Sequence, residues 1–343
     1  MKRVLKFKIP FPYIVGLIIL SVGVTFFITS FEYKKEIEII KEESSATTFC
    51  DYRIERMTGY KYIKPLMFVD GDCQSPQLQS VKNEVSKIIN DYKLYKGVTD
   101  ASFYLRDYDQ TTWTAVNEFE KYEPGSLFKV PILICFLKMS EMTPGFLNKK
   151  LTFSTPFNTQ RTIAFKSKSI QLGQQYTIRE LLEYMILYSD NNATALLNQN
   201  ISHSVLTLLF KDLSLEVPDM KATHYYFDVK QYSLFMRALY NASYLNIDNS
   251  EYAAKLLSHA DFEQGIRRAI PKNIKMAHKF GESGTPEEKQ LHESAIVYLG
   301  ENPFLITIMT KGKDNKTLTN LIADISKVVY KKMKAKSEAN RAI

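Results

Sequence analysis

Cysteine and histidine are scarce in this 343-residue chain, with three of the first and five of the second. No Cys-x-x-Cys pair and no histidine cluster occurs, so the common zinc patterns have no ligands, and neither a metal nor a cofactor is expected. Three cysteines are too few for a disulfide framework. An oxidising exterior would let Cys50 pair with Cys73 across a short loop, leaving Cys135, on an apolar stretch, as a buried thiol. Internal repeats and low-complexity tracts are also missing. Net charge is missing from the body of the chain. The formal charge of +8 sits at the ends: Lys2, Arg3, Lys6 and Lys8 supply +4, Lys331–Ile343 supplies another +4, and Ile9–Tyr330 is neutral. Nucleic-acid binders concentrate cations on a folded face to neutralise phosphates, so nucleic acid is excluded as a partner.

Charge is absent altogether between Lys8 and Glu32, a run of 23 mostly apolar residues. At about 1.5 Å per residue a helix there would span a hydrocarbon core of about 30 Å. The basic residues before it place the N-terminus in the cytoplasm and the rest of the chain outside the membrane. A cleaved signal peptide is the competing reading, but Phe26–Phe31 offers no small-x-small cleavage site. The expected organisation is a cytoplasmic basic segment (1–8), a single-pass anchor (9–31), a linker (32–49), one folded domain (50–330) and a basic tail (331–343), read as a frayed helix end or a solvated segment.

Within the domain, Val81, Val85, Ile88, Ile89 and Tyr92 follow a helical period, and Ala101–Arg106 reads as a strand. Thr177 stands three residues before Glu180, a capping-box spacing that opens a helix running toward Ser189. Helices are expected over Asn192–Asn198, Ser204–Phe210 and Asp228–Tyr240. Ser294–Thr310 reads as two strands turning through Gly300–Pro303. Strands near both ends around a helical middle predict an α+β fold: an antiparallel sheet flanked by helices, with an all-helical subdomain.

The chemistry begins at Ser126 and Lys129. On a helix, three-residue spacing puts a hydroxyl and an amine on one face. A serine needs a base within hydrogen-bond reach to become a nucleophile, and a desolvated lysine can serve. Pro124-Gly125 makes a turn just before the serine, and the almost wholly apolar run Val130–Met139 predicts that a buried helix begins here; Pro131 fits the second turn awkwardly. Ser189-Asp190-Asn191 and Lys279-Phe280-Gly281 come later in the chain, in that order.

Ser-x-x-Lys, Ser-Asp-Asn and Lys-x-Gly in this order resemble the penicillin-recognising serine hydrolases, most closely the class A β-lactamase-like family, over Arg53–Tyr330. The resemblance implies an acyl enzyme on Ser126, formed from β-lactams or peptides ending in D-Ala-D-Ala. Lys129 would be the acylation base, and Ser189 would pass the proton to the leaving nitrogen. Asn191 would hold a substrate carbonyl, and Lys279 would offer positive potential to a substrate carboxylate. The backbone N–H groups of Ser126 and Glu282, beside Gly281, would receive the oxyanion. Two departures stand out. Phe280 occupies the place of a small hydroxyl residue, and no loop carrying a water-activating glutamate lies between Leu213 and Phe227, where the only acids are Glu216 and Asp219. Slow deacylation is therefore expected. A D,D-peptidase is the alternative within the enzyme class, and a catalytically silent module binding cell-wall peptides is the alternative outside it.

Overall fold

The computed structural model describes residues 51–157, 164–165, 167–218 and 225–341, with Thr25 and Thr29. The chain divides into two compact units, Met1–Asp51 and Tyr52–Ile343. In the first, Thr25 and Thr29 are helical, and the Thr29 hydroxyl donates to Thr25 O at 2.9 Å. The expected anchor at 9–31 and linker at 32–49 otherwise lie outside the described residues, as does Cys50. Among the described residues no helix is long and apolar enough to cross a membrane. Cys73 is disulfide-bonded, while Cys135 is a free buried thiol whose pKa burial pushes up to about 12.

The second unit opens with a two-stranded hairpin that the sequence pattern does not announce, β1 (Tyr52–Arg56) and β2 (Leu66–Gly71). Helix α1 (Gln79–Tyr95) buries Val81, Val85, Ile89 and Tyr92, the stripe its sequence period requires. Strands β3 (Val98–Asp107) and β4 (Trp113–Val116) lead to the Ser126 turn and α2 (Lys129–Met142). A small ribbon, β5 (Lys150–Thr152) with β6 (Gln175–Thr177), precedes the helical middle: α3 (Ile178–Leu187), α4 (Asn191–Asn198), α5 (His203–Asp212), α6 (Val229–Tyr240), α7 (Ile247–Ser258) and the short α8 (Ile266–Ala269). The chain then returns through β7 (Met276–Gly284), β8 (Lys289–Val297), β9 (Phe304–Gly312) and α9 (Asn315–Arg341).

The main sheet is antiparallel in the order β4-β3-β9-β8-β7, so the strands from the two ends of the domain meet at β3 and β9, where Phe103 faces Ile308. It is covered on both faces, and β3 and β9 are therefore almost continuously buried instead of alternating. One core holds α1, α8 and α9 against Phe103, Leu105, Ile306 and Ile308; the other holds α2, α3 and α6 against Tyr104, Leu305 and Met309.

The basic tail differs from expectation. Helix α9 continues past Tyr330 to Arg341 because Val329, Met333 and Ser337, each four apart, are buried on one side of it. Two of its lysines are tied down too: Lys332 pairs with Glu84 at 2.6 Å, and Lys336 pairs with the buried Asp107.

Candidate active site

Ser126 lies in a 3-10 turn, Gly125–Phe128, that runs into α2. In a 3-10 turn side chains three apart eclipse each other, which aligns Ser126 with Lys129 more directly than an α-helix would. Lys129 is then the first residue of α2 and Pro131 its third, and the Leu127 carbonyl that an N–H at 131 would bond accepts instead from Tyr232 OH at 3.0 Å. The awkward proline is thus a fitting one.

The turn is clamped onto β7. Built Cβ atoms would lie 2.3 Å from Glu282 O at Gly125, which has φ +52°, and 2.2 Å from Pro124 O at Gly281. Only glycine at both positions lets the backbones of Ser126 and Glu282 approach this closely. Groups that carry no motif hold the approach. Ser283 Oγ donates to Glu123 O at 2.7 Å, Glu123 N donates to Gln290 Oε1 at 3.0 Å, and Tyr232 OH donates to Leu127 O at 3.0 Å. His292 spans Glu123 O, through Nε2 at 3.0 Å, and Thr310 N, which donates to Nδ1 at 3.2 Å. Those bonds fix a neutral tautomer, and burial lowers its pKa to about 3. Sequence reasoning missed these residues because strand register, not spacing along the chain, brings them to the turn.

Ser189 sits in the elbow between α3 and α4 with φ +53°, a left-handed conformation that strains a non-glycine residue. The capping box read from Thr177 and Glu180 starts α3. Asp190 caps α4, its carboxylate accepting from Asn192 N at 3.0 Å, Ala193 N at 3.3 Å, Ile170 N at 2.9 Å and Ser169 Oγ at 2.7 Å. Asn191 is the first residue of that helix.

The three motifs converge on the Lys129 amine. Its Nζ donates to Ser189 O at 2.5 Å, Ser189 Oγ at 3.1 Å and Asn191 Oδ1 at 2.8 Å. Lys279 Nζ reaches the same Ser189 Oγ at 2.9 Å and Phe280 O at 3.0 Å. Two buried lysines on one hydroxyl cannot both stay charged cheaply. Burial, against the opposing pull of Asp190, lowers the Lys129 pKa to about 7. Burial and the nearby Lys129 charge drive that of Lys279 well below its ordinary value, with Asp261 and Glu293 pulling the other way.

A neutral Lys129 keeps two N–H donors for Ser189 O and Asn191 Oδ1 and frees a lone pair, the requirement for a base. The Ser126 hydroxyl is half-buried and makes no hydrogen bond among the described residues, a loose arrangement common before substrate arrives. Ser126, Lys129, Ser189, Asn191, Lys279, Gly281 and Glu282 are thus brought together by α2, the α3–α4 elbow and β7. The Glu282 side chain points elsewhere, accepting from Ala164 N at 2.9 Å and Asn315 Nδ2 at 3.1 Å. Glu216 is exposed, lines a groove with Phe210 and Tyr225, and hydrogen-bonds none of these groups. Asp219 lies outside the described residues.

Among solved structures, the TLA-1 extended-spectrum beta-lactamase is similar at 18% identity and TM-score 0.64, over 75% of this chain and 99% of that one. PBP-A is similar at 19% identity and TM-score 0.62, over 75% and 97%, and a beta-lactamase from Sphaerobacter thermophilus at 16% and 0.62, over 73% and 96%. No curated protein matches the chain in sequence. The model of the beta-lactamase enzyme family matches residues 80–333. Over that span, from α1 into α9, this chain belongs to that family, and it is a serine hydrolase with the penicillin-recognising fold.

Proposed function

We propose that the chain is a membrane-anchored serine hydrolase that forms an acyl enzyme on Ser126 with β-lactams or D-Ala-D-Ala-type peptides and releases it slowly, as a D,D-peptidase does with β-lactams. The observation that carries this reading is the buried Lys129 amine, held by Ser189 and Asn191 and left with a pKa near the pH at which it must work. Lys129 takes the Ser126 proton as Oγ attacks the carbonyl carbon. The tetrahedral oxygen is received by the N–H groups of Ser126 and Glu282. Ser189, hydrogen-bonded to both lysines, hands the proton to the leaving nitrogen, and the Asn191 amide N–H group stays free for a substrate carbonyl.

Slow release has its own support. No carboxylate among the described residues hydrogen-bonds Ser126, Lys129 or Ser189, so water lacks an evident base there. A mutant of PBP-A has been seen as an acyl-enzyme complex with penicillin-G, which makes a trapped adduct a reasonable expectation for a chain of this fold. The uncharged run 9–31 supports a single-pass anchor with the hydrolase outside the cytoplasm.

The test is intact-mass spectrometry of the full chain in detergent after brief exposure to a reporter β-lactam, beside Ser126→Ala. A lasting adduct that vanishes in the variant is expected. Hydrolysis without an adduct would replace the peptidase-like reading with a turning-over β-lactamase. Neither adduct nor hydrolysis would favour the silent binding module.

A further inference from the structure

The strand that carries Lys279 presents its alternate residues, His278, Phe280 and Glu282, to the opposite face, and there the chemistry differs from a carboxylate receptor. Phe280 stacks on Phe262 with ring centroids 4.2 Å apart and meets Phe165 edge-on at 5.9 Å. With Tyr188, Asp261 and Glu263 these rings wall a cavity of about 180 Å³. Its walls join the catalytic groups directly, since Tyr188 precedes Ser189 and Phe280 follows Lys279.

Among the described residues no lysine or arginine lines this cavity. Lys279 is 1% exposed, spends its donors on Ser189 and Phe280, and lies over the Phe280 ring at 4.2 Å. Arg267 is consumed by the carbonyls of Ile270, Pro271 and Ile274, and Arg268 by Asn320 and Thr319. Across the sheet, the residue paired with Phe280 is an acid, Glu293, buried between His278 Nδ1 at 2.7 Å and Ile266 N at 2.6 Å. Asp261, whose carboxylate accepts from Ser167 Oγ, and Glu263 are exposed at the rim. Aromatic faces with carboxylates at their edge attract cations, and Lys168 already places its ammonium 5.1 Å from the Tyr188 ring.

We infer that the cavity walled by Phe165, Tyr188, Phe262 and Phe280, with Asp261 and Glu263 at its rim, is a subsite for an ammonium-bearing group on the leaving-group side of the substrate. It takes the place of carboxylate recognition. The inference rests on the acyl-enzyme reading, because Ser189 marks the leaving-group side only if it protonates the leaving nitrogen.

Three β-lactams test it, identical except for the substituent beside the lactam nitrogen: a free carboxylate, its ethyl amide and its aminoethyl amide. Acylation rates of the full chain are read by intact mass and normalised to each compound's hydrolysis by hydroxide. The aminoethyl amide should react about tenfold faster than the ethyl amide, and the carboxylate more slowly than either. In Asp261→Asn/Glu263→Gln the ratio of the aminoethyl amide rate to the ethyl amide rate should fall to about twofold or less, and a ratio still near tenfold would overturn the subsite. The carboxylate reacting fastest would overturn the subsite alone, and loss of its lead in Lys168→Ala would identify the cation that receives it. If none of the three labels Ser126, the acylating serine is refuted, and the subsite with it.

Discussion

If Lys129 is the acylation base, the rate of adduct formation must follow its deprotonation. With a pKa of about 7, about half of the lysine is neutral at pH 7, about a tenth at pH 6 and about a hundredth at pH 5. Acylation should therefore fall about tenfold per pH unit below pH 6 and flatten above pH 8. The same burial has a stability consequence. Because the pKa is depressed from 10.5, the unfolded chain binds more protons than the folded one between pH 7 and 10.5. The penalty is complete below pH 7, at about 5 kcal/mol, and fades as the pH rises to 10.5. Lys129→Met removes that penalty and three hydrogen bonds worth about 1 kcal/mol each. The variant should be inert toward a β-lactam yet more stable than the parent by about 2 kcal/mol at pH 6, with the gain vanishing a little above pH 8 and turning into a loss of about 2 kcal/mol by pH 10. Quenched intact-mass time courses from pH 5 to 9, beside thermal melts of both proteins, make the measurement. An acylation rate flat from pH 5 to 8, or a Lys129→Met variant that acylates normally, would refute the assignment.

Gly281→Ala should abolish acylation, since its methyl would lie 2.2 Å from Pro124 O and push the Ser126 turn off β7; adduct yield and melting temperature should both drop. Asp70→Ala should cost about 3–5 kcal/mol in urea unfolding. It strips the carboxylate that Arg237 grips at 2.6 and 2.7 Å, and Arg106 at 2.9 Å, leaving two buried guanidiniums without a partner. Met333→Ala should cost about 2–4 kcal/mol, whereas a tail solvated beyond Tyr330 would tolerate it without loss.

Much of this architecture is legible in the sequence where the signal is local. The Val81–Tyr92 stripe, the Thr177–Glu180 capping box and the turn at Gly300 all mark elements that the structure contains. The motif residues are legible because their order and chemistry are unusual together. What escapes is what depends on register and packing. Nothing near His292, Gln290 or Ser283 announces that each braces Glu123, and the lysines of 331–336 mask the four-residue spacing that buries Met333 and Ser337. Pro131 misleads because its tolerance depends on where the helix begins, and Ser126 occupies a 3-10 turn whose boundary no propensity fixes.

The pairing of β3 with β9 governs how this chain can come into being. Phe103 finds its strand partner, Ile308, about two hundred residues later, so closing that ladder means closing a very long loop, and contacts of such separation are slow to form. A growing chain that has made β3 and helices α1 to α8 still lacks the centre of its sheet, and the apolar faces of α1 and α6 stay uncovered until β9 and α9 emerge. The central ladder can therefore close only after nearly the whole domain has been made. The catalytic groups share that delay: Ser126 and Lys129 are made early, and they meet Lys279 only once β7 has followed the whole helical middle.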